Sequence, residues 1–127
     1  MIVVDTSVWV AAQRHPAGDT ARTLLSLLDA DEVALALPVR LELWAGIAKA
    51  DRRRFARAFS ALPVLIPTEE TWQPLADWIA RAAEAGQRFA ITDLLIARLA
   101  DEIGALVWSL DGDFERLARL KLVRMYS

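Results

Sequence analysis

The chain has 127 residues, with 15 Lys and Arg against 17 Asp and Glu for a formal charge of −2, one histidine (His15) and no cysteine. That inventory excludes disulfide scaffolds, thiolate zinc sites, cysteine nucleophiles, multi-histidine metal centres and nucleases built on a histidine acid–base pair. Any affinity for nucleic acid must then come from a local patch, because the charge of the whole molecule does not favour it.

In chain order, the run over 2–4, Ile-Val-Val, is apolar at every position, as a strand buried on both faces of a parallel sheet requires. A helical pattern follows over 8–28. A second strand is predicted over 33–37, closed by Pro38, and helices over 39–49 and 52–61. Residues 64–66, set between Pro63 and Pro67, form a third short strand, and 69–84 a long helix. The remaining predictions are a helix over 92–103, a strand over 106–108, a helix over 112–120 and a fifth short strand at 122–123. Strands alternating with helices imply an α/β fold, a mostly parallel sheet of four or five strands covered on both sides.

At this length one compact domain over 1–127 is expected, burying about two-thirds of the surface that the open chain exposes. Hydrophobic residues make up 55% of the chain and its mean hydropathy is +0.27. No stretch approaches the roughly 18 apolar residues of a membrane helix, and the opening residues lack the pattern of a secretory signal. The expectation is a cytoplasmic protein whose surplus apolar surface serves a partner or a second copy of itself.

In open α/β sheets, ligands gather beyond the carboxyl ends of the strands, so the polar residues there matter most. Asp5 follows the first strand directly, and Asp111 stands three residues after Trp108 in Ser109-Leu-Asp-Gly-Asp113-Phe114. Glu42 lies early in its helix, on a different stripe from the apolar Val39, Leu43 and Ile47. Gly46, one turn beyond Glu42, leaves room on that face for a neighbouring backbone or ligand. Asp93 opens its helix beside the expected buried stripe Ile96, Leu99 and Ile103.

Each acid alone has a plain structural explanation: a cap for Asp5, a favourable helix-dipole position for Asp93, turn and cap roles for Asp111 and Asp113, and solvation for Glu42. Together they are harder to explain without a ligand. Two carboxylates 4 Å apart repel by roughly 4 kcal/mol at an effective dielectric of 20. A fold that gathers four needs a cation, and all-oxygen ligands favour Mg²⁺ or Mn²⁺ over zinc. Ions so held are a standard means of cleaving a phosphodiester.

These segments resemble the PIN-domain ribonucleases, specifically toxins of the VapC type. The resemblance is carried by Val-Val-Asp5-Thr6-Ser7-Val-Trp9, Glu42-Leu-Trp44-Ala-Gly46, Thr92-Asp93-Leu-Leu-Ile-Ala97 and Trp108-Ser109-Leu-Asp111-Gly-Asp113-Phe114. It spans essentially the whole chain and implies a PIN-like three-layer α/β/α sandwich. It also implies that Asp5, Glu42, Asp93 and Asp111 form a catalytic, metal-binding quartet for Mg²⁺ or Mn²⁺. Asp113 matches the acid of an Asp-Phe pair and ranks below Asp111 as a ligand. Thr6, Ser7 and Ser109 match hydroxyl positions that orient ligands or water; serine replaces a common threonine at Ser109.

The implied reaction is endonucleolytic hydrolysis of RNA, leaving a 5′-phosphate and a 3′-hydroxyl. The implied partners are a cognate antitoxin and a second copy of the chain in a homodimer. Two bound divalent ions would move the formal charge from −2 to +2, tolerant of phosphate. Arg52, Arg53, Arg54 and Arg57 form a basic run that is either a solvated face or a contact for RNA or a partner; Arg40 and Arg88 lie near the acids in sequence. Trp9 and Trp44 either pack in the core or line an apolar groove open to an inhibitory partner. Trp72, Trp78 and Trp108 are assigned to packing, and His15 to an exposed turn.

Other readings compete. Asp111-Gly-Asp113 resembles a haloacid-dehalogenase nucleophile motif, but only 14 residues follow it. A phosphoacceptor receiver domain needs paired acids after its first strand and a late lysine in the right place. A housekeeping RNA-processing nuclease, or a non-catalytic PIN-like binding module, remains the alternative to a toxin.

Overall fold

The computed structural model describes all residues 1–127. The elements run β1 (Ile2–Val4), α1 (Thr6–Arg14), α2 (Asp19–Asp29), β2 (Val33–Ala36), α3 (Leu37–Gly46), a 3-10 turn (Lys49–Asp51), α4 (Arg52–Ser60), β3 (Val64–Leu65), α5 (Glu69–Trp72), α6 (Leu75–Glu84), α7 (Ile91–Glu102), β4 (Leu106–Trp108) and α8 (Gly112–Arg119). The four strands form one parallel sheet in the order β3-β2-β1-β4.

The sheet is three to four residues deep at its centre, so every residue of β1 and β2 is buried. Alternation sends Ile2, Val4 and Val33 to one face, against Val8 of α1 and Leu24 of α2. Val3 and Val107 belong to the larger core, with Leu94, Ile96, Leu99, Phe114 and Leu117 of α7 and α8. This is the three-layer α/β/α arrangement. The chain first builds outward from β1 through β2 to β3, then returns to place β4 on the other side of β1. Strand order therefore reverses between β1 and β4, and the crevice beyond their carboxyl ends is where a ligand site belongs.

Two predicted helices are broken. The one over 8–28 divides into α1 and α2 because Pro16 restrains His15, whose φ of −131° and ψ of 71° leave the helical region. The one over 69–84 divides at Pro74, which caps α6; α5 starts from a capping box between Thr68 and the fully buried Thr71. Leu37, expected to end β2, instead starts α3, since Pro38 is preorganised for a first helical turn.

The fifth strand at 122–123 does not form. Leu122 and Val123 are buried, but Lys121 turns at φ 61° and pairing is confined to one parallel bridge, Val107 with Met125. Two apolar assignments also change. Ile103 caps the end of α7 and is 47% exposed, while Trp72, at the end of the one-turn α5, is 49% exposed. Trp78 is buried as expected, and half-buried Trp108 packs against Tyr126 at 5.4 Å between ring centres.

Candidate functional site

The site is built from the reversal point outward. The Asp5 backbone N–H donates to Trp108 O at 2.9 Å, which continues the β1–β4 pairing by one residue and sets Asp5 beside Ser109. Asp5 is 6% exposed and caps α1. Its Oδ2 accepts from Ser7 Oγ and from Ser109 Oγ, both at 2.8 Å, and more distantly from Ser7 N at 3.4 Å. Each serine hydroxyl has one proton, and both are spent on Asp5. As acceptors, the same hydroxyls take Leu110 N at 3.0 Å and Asp111 N at 2.9 Å. The turn after β4 is thereby pinned to the first turn of α1, and Asp5 Oδ1 is left free of hydrogen bonds.

Asp111 caps α8, accepting from Asp113 N at 3.0 Å. Asp93 lies in the first turn of α7, half-buried, beside and not within the apolar stripe. One oxygen from each of Asp93, Asp111 and Asp113 lies within 4.8 Å of the others. Asp113 thus stands as close to Asp93 as a shared ion would need, on equal terms with Asp111. Asp5 and Glu42 lie outside that span but within reach of its field.

The electrostatics bind all five acids into one cluster. The pKa of Asp93 is pushed up to about 6, first by burial and then by the charges of Asp5, Asp113, Asp111 and Glu42, in that order. Glu42 is also raised, by partial burial of its carboxyl end and by Asp5, while the Thr6 hydroxyl opposes the shift. Glu42 is otherwise exposed at the rim on α3. Thr6 Oγ1 is buried and closes no hydrogen bond of good geometry, although it faces the Glu42 carboxylate. Converging oxygen donors, mutual repulsion and an orphaned buried hydroxyl fit a hard divalent cation. The absence of nitrogen and sulfur donors disfavours zinc.

Of the two neighbours expected over Gly46, a backbone or a ligand, the fold supplies no backbone. A Cβ built there meets nothing within 4 Å, so no backbone or side chain approaches that face.

The tryptophans separate. Trp9 is a packing residue: its Nε1 donates to Val4 O at 3.2 Å and its ring meets Phe59 edge-on at 5.6 Å. Trp44 is 39% exposed and lines a hollow of about 250 Å³ with Leu37, Arg40, Leu41 and Ala56. A second hollow of about 380 Å³, lined in part by Leu37, Leu41, Glu42, Pro67 and Thr92, reaches the acidic rim. Arg52 lies over the Trp44 ring at 5.8 Å, and Arg54 pairs with Asp51 at 3.6 Å. Arg40, Arg53, Arg57 and Arg88 are exposed, as is His15. Another hollow of about 160 Å³, at Ala105 and Arg124, lies at the opposite end of β4 and includes none of these acids.

One residue escaped the sequence reading. Arg116 donates to Asp113 Oδ1 at 2.6 Å and to Gln87 Oε1, and its guanidinium lies 4.6 Å from the centre of the Phe89 ring. The only signal was its position three residues after Asp113 on a predicted helix, a spacing that places the two on one face.

Residues 2–120 match the PIN domain family. Ribonuclease VapC11 of Mycobacterium tuberculosis is 33% identical over 125 residues, covering 94% of this chain and 93% of that protein. Ribonuclease VapC18 of the same organism is 31% identical over 122 residues, covering 92% and 87%. Among solved structures, VapBC2 from Rickettsia felis, bound to a DNA fragment from its promoter, superposes with a TM-score of 0.81 at 18% identity over 99% of this chain and 98% of that one. FitAcB from Neisseria gonorrhoeae gives 0.73 at 20% identity, over 100% and 97%. These two likenesses speak for the fold.

Proposed function

The chain belongs to the PIN-domain family, with VapC ribonucleases as its relatives over most of its length, and from that premise we propose that it is the toxin of a type II toxin–antitoxin pair. It acts as one nuclease domain over 1–127, a Mg²⁺- or Mn²⁺-dependent endoribonuclease. The observation that carries this reading is the convergence of Asp93, Asp111 and Asp113, one oxygen of each within 4.8 Å of the others, with the charges of Asp5 and Glu42 also acting on Asp93. A fold that bears such repulsion at the reversal point of its sheet is organised for a cation.

In this reading Asp93, Asp111 and Asp113 hold the ion from two helix starts, with Asp5 and Glu42 completing the negative field. When bound, the ion supplies Lewis acidity to activate water and positive charge to steady the departing oxygen. The protein's own part is orientation. Ser7 and Ser109 fix one oxygen of Asp5 and leave the other without a hydrogen bond. Their bonds to Leu110 N and Asp111 N set where Asp111 starts α8. Thr6 provides a hydroxyl beside Glu42 that is free to meet a ligand or water.

RNA approaches over the exposed cations of α3 and α4, with Arg40, Arg52, Arg53, Arg54 and Arg57 offering phosphate contacts. The apolar hollows around Leu37, Leu41 and Trp44 suit the tail of a cognate antitoxin, and the remaining exposed apolar residues suit a homodimer. A cytoplasmic location accords with such a substrate, and no helix is long and apolar enough to cross a membrane.

The test is cleavage of total RNA, tRNA included, by purified protein with Mg²⁺ or Mn²⁺ and with EDTA. The expected result is metal-dependent cutting that leaves 5′-phosphate ends and stops with EDTA. No cutting by folded, antitoxin-free protein in either metal would move the assignment to a non-catalytic binding module.

A further inference from the structure

Arg116 spans a gap that no backbone hydrogen bond closes. On one side lies the start of α8, which carries Asp111 and Asp113; on the other lies the segment leading into α7, which carries Asp93. One terminal nitrogen of Arg116 holds Asp113 Oδ1 at 2.6 Å, and the other donates to Gln87 Oε1. The guanidinium carbon also lies over the Phe89 ring, 4.6 Å from its centre. Gln87 and Phe89 immediately precede Ala90, the cap of α7, and Asp93 follows three residues later. Arg116 is itself only 32% exposed at its side chain.

We infer that Arg116 is a positioning residue: bridging Asp113 to the Gln87–Phe89 segment, it locks the first turns of α7 and α8 at one spacing and so sets the size of ion that Asp93, Asp111 and Asp113 accept. The inference rests on the proposed reading of those three aspartates as a cation cradle. A guanidinium suits the role because its planar fork can serve two acceptors at once while its face rests on an aromatic ring. A lysine ammonium is a single point charge on a flexible stem and cannot hold all three contacts.

The spacing matters because small and large cations demand different cradles. Mg²⁺ requires near-octahedral oxygens at about 2.0–2.1 Å, whereas Ca²⁺ accepts about 2.3–2.6 Å in looser geometry. A cradle that has lost its brace should therefore lose the smaller ions first. If Arg116 served only as a counter-charge to the acids, its removal would instead strengthen the binding of every divalent ion.

The experiment titrates the full metal-free chain with Mn²⁺ and, separately, with Ca²⁺ by calorimetry, with no RNA present. Arg116→Met should weaken Mn²⁺ binding about tenfold, the low end for a residue supporting metal ligands, and Ca²⁺ binding by less than about threefold. Gln87→Leu leaves every charge in place yet should shift the Mn²⁺/Ca²⁺ ratio in the same direction by a smaller factor. Arg116→Lys should fall between wild type and Arg116→Met. Equal changes for both ions, or no change of the ratio with Gln87→Leu, would overturn the inference. A lowered melting temperature with both affinities intact would also overturn it, leaving ordinary packing. Should Arg116→Met not fold, Gln87→Leu carries the test. Failure of the wild type to bind either ion would instead strike the cradle itself, a separate outcome from failure of the brace.

Discussion

Asp93→Asn is expected to abolish metal-dependent RNA cleavage while raising the melting temperature of the metal-free protein at pH 7.5. The two effects share one cause. In the folded, metal-free chain the Asp93 charge is opposed by burial and by four neighbouring acids, which lift its pKa from 3.8 to about 6. The folded state therefore keeps a proton that the unfolded chain has already lost between those values. Below pH 3.8 both states are protonated and Asp93 costs nothing; the penalty grows as pH rises and is complete above about 6. Solvent screening at a half-exposed group reduces the full value, leaving a gain of about 1 kcal/mol for the neutral amide. For a chain of this length that is about 3–5 °C in melting temperature. Thermal scans of both proteins with EDTA at pH 7.5 and pH 4 check it: the advantage should be present at the first pH and mostly lost at the second. A variant less stable than wild type at pH 7.5 would mean that Asp93 is not held in a repulsive cluster.

Asp5→Asn should separate catalysis from folding in a different way. An asparagine can place its carbonyl where Oδ2 now accepts from Ser7 and Ser109, and its amide where Oδ1 makes no hydrogen bond. The cap on α1 survives, since Asn and Asp cap equally well, so stability should stay within about 1 kcal/mol of wild type. The charge is lost, and with it a share of the field holding the ion. Several kcal/mol of transition-state stabilisation are at stake, so cleavage should fall about a thousandfold at fixed Mg²⁺. In the metal-free variant the Asp93 titration should also move down from about 6, because Asp5 is the leading charge acting on it. Carboxyl NMR titration reads that shift directly. Asp5→Ala, which removes the acceptor as well, should lose both activity and stability. Wild-type cleavage by Asp5→Asn would contradict the role given to this residue.

The sequence carried much of this arrangement because the sheet is narrow and its central strands, β1 and β2, are buried at every residue. The runs at 2–4 and 106–108 are apolar throughout, so the first polar residues after them, Asp5 and Ser109, had to emerge at the strand ends. Helix starts were similarly clear at Asp93 and Asp113. What one sequence does not contain is the order of strands. The adjacency of β1 and β4, which joins Asp5 to Ser109, is fixed by long-range packing and not by any local pattern.

Other misreadings have local causes. Pro16 and Pro74 were visible, yet the apolar period on either side of each hid the break. Asp113 ranks below Asp111 in the resemblance, which matches it to the acid of an Asp-Phe pair; the fold sets the two at similar distance from Asp93, a proximity that no local pattern contains. Trp72 and Ile103 carry the apolar character of core residues but stand at helix ends, where the chain turns and the stripe no longer faces the sheet. Arg116 was invisible for a further reason: two of its three contacts, Gln87 and Phe89, lie in a different segment of the chain.

The most direct test of the central claim, that these carboxylates converge on a divalent ion, is anomalous diffraction from a crystal of the protein grown with Mn²⁺. The account predicts a manganese peak about 2.0–2.4 Å from carboxylate oxygens of Asp93 and at least one of Asp111 and Asp113. A crystal in which Mn²⁺ binds only elsewhere, or leaves this cluster empty at saturating concentration, would contradict it.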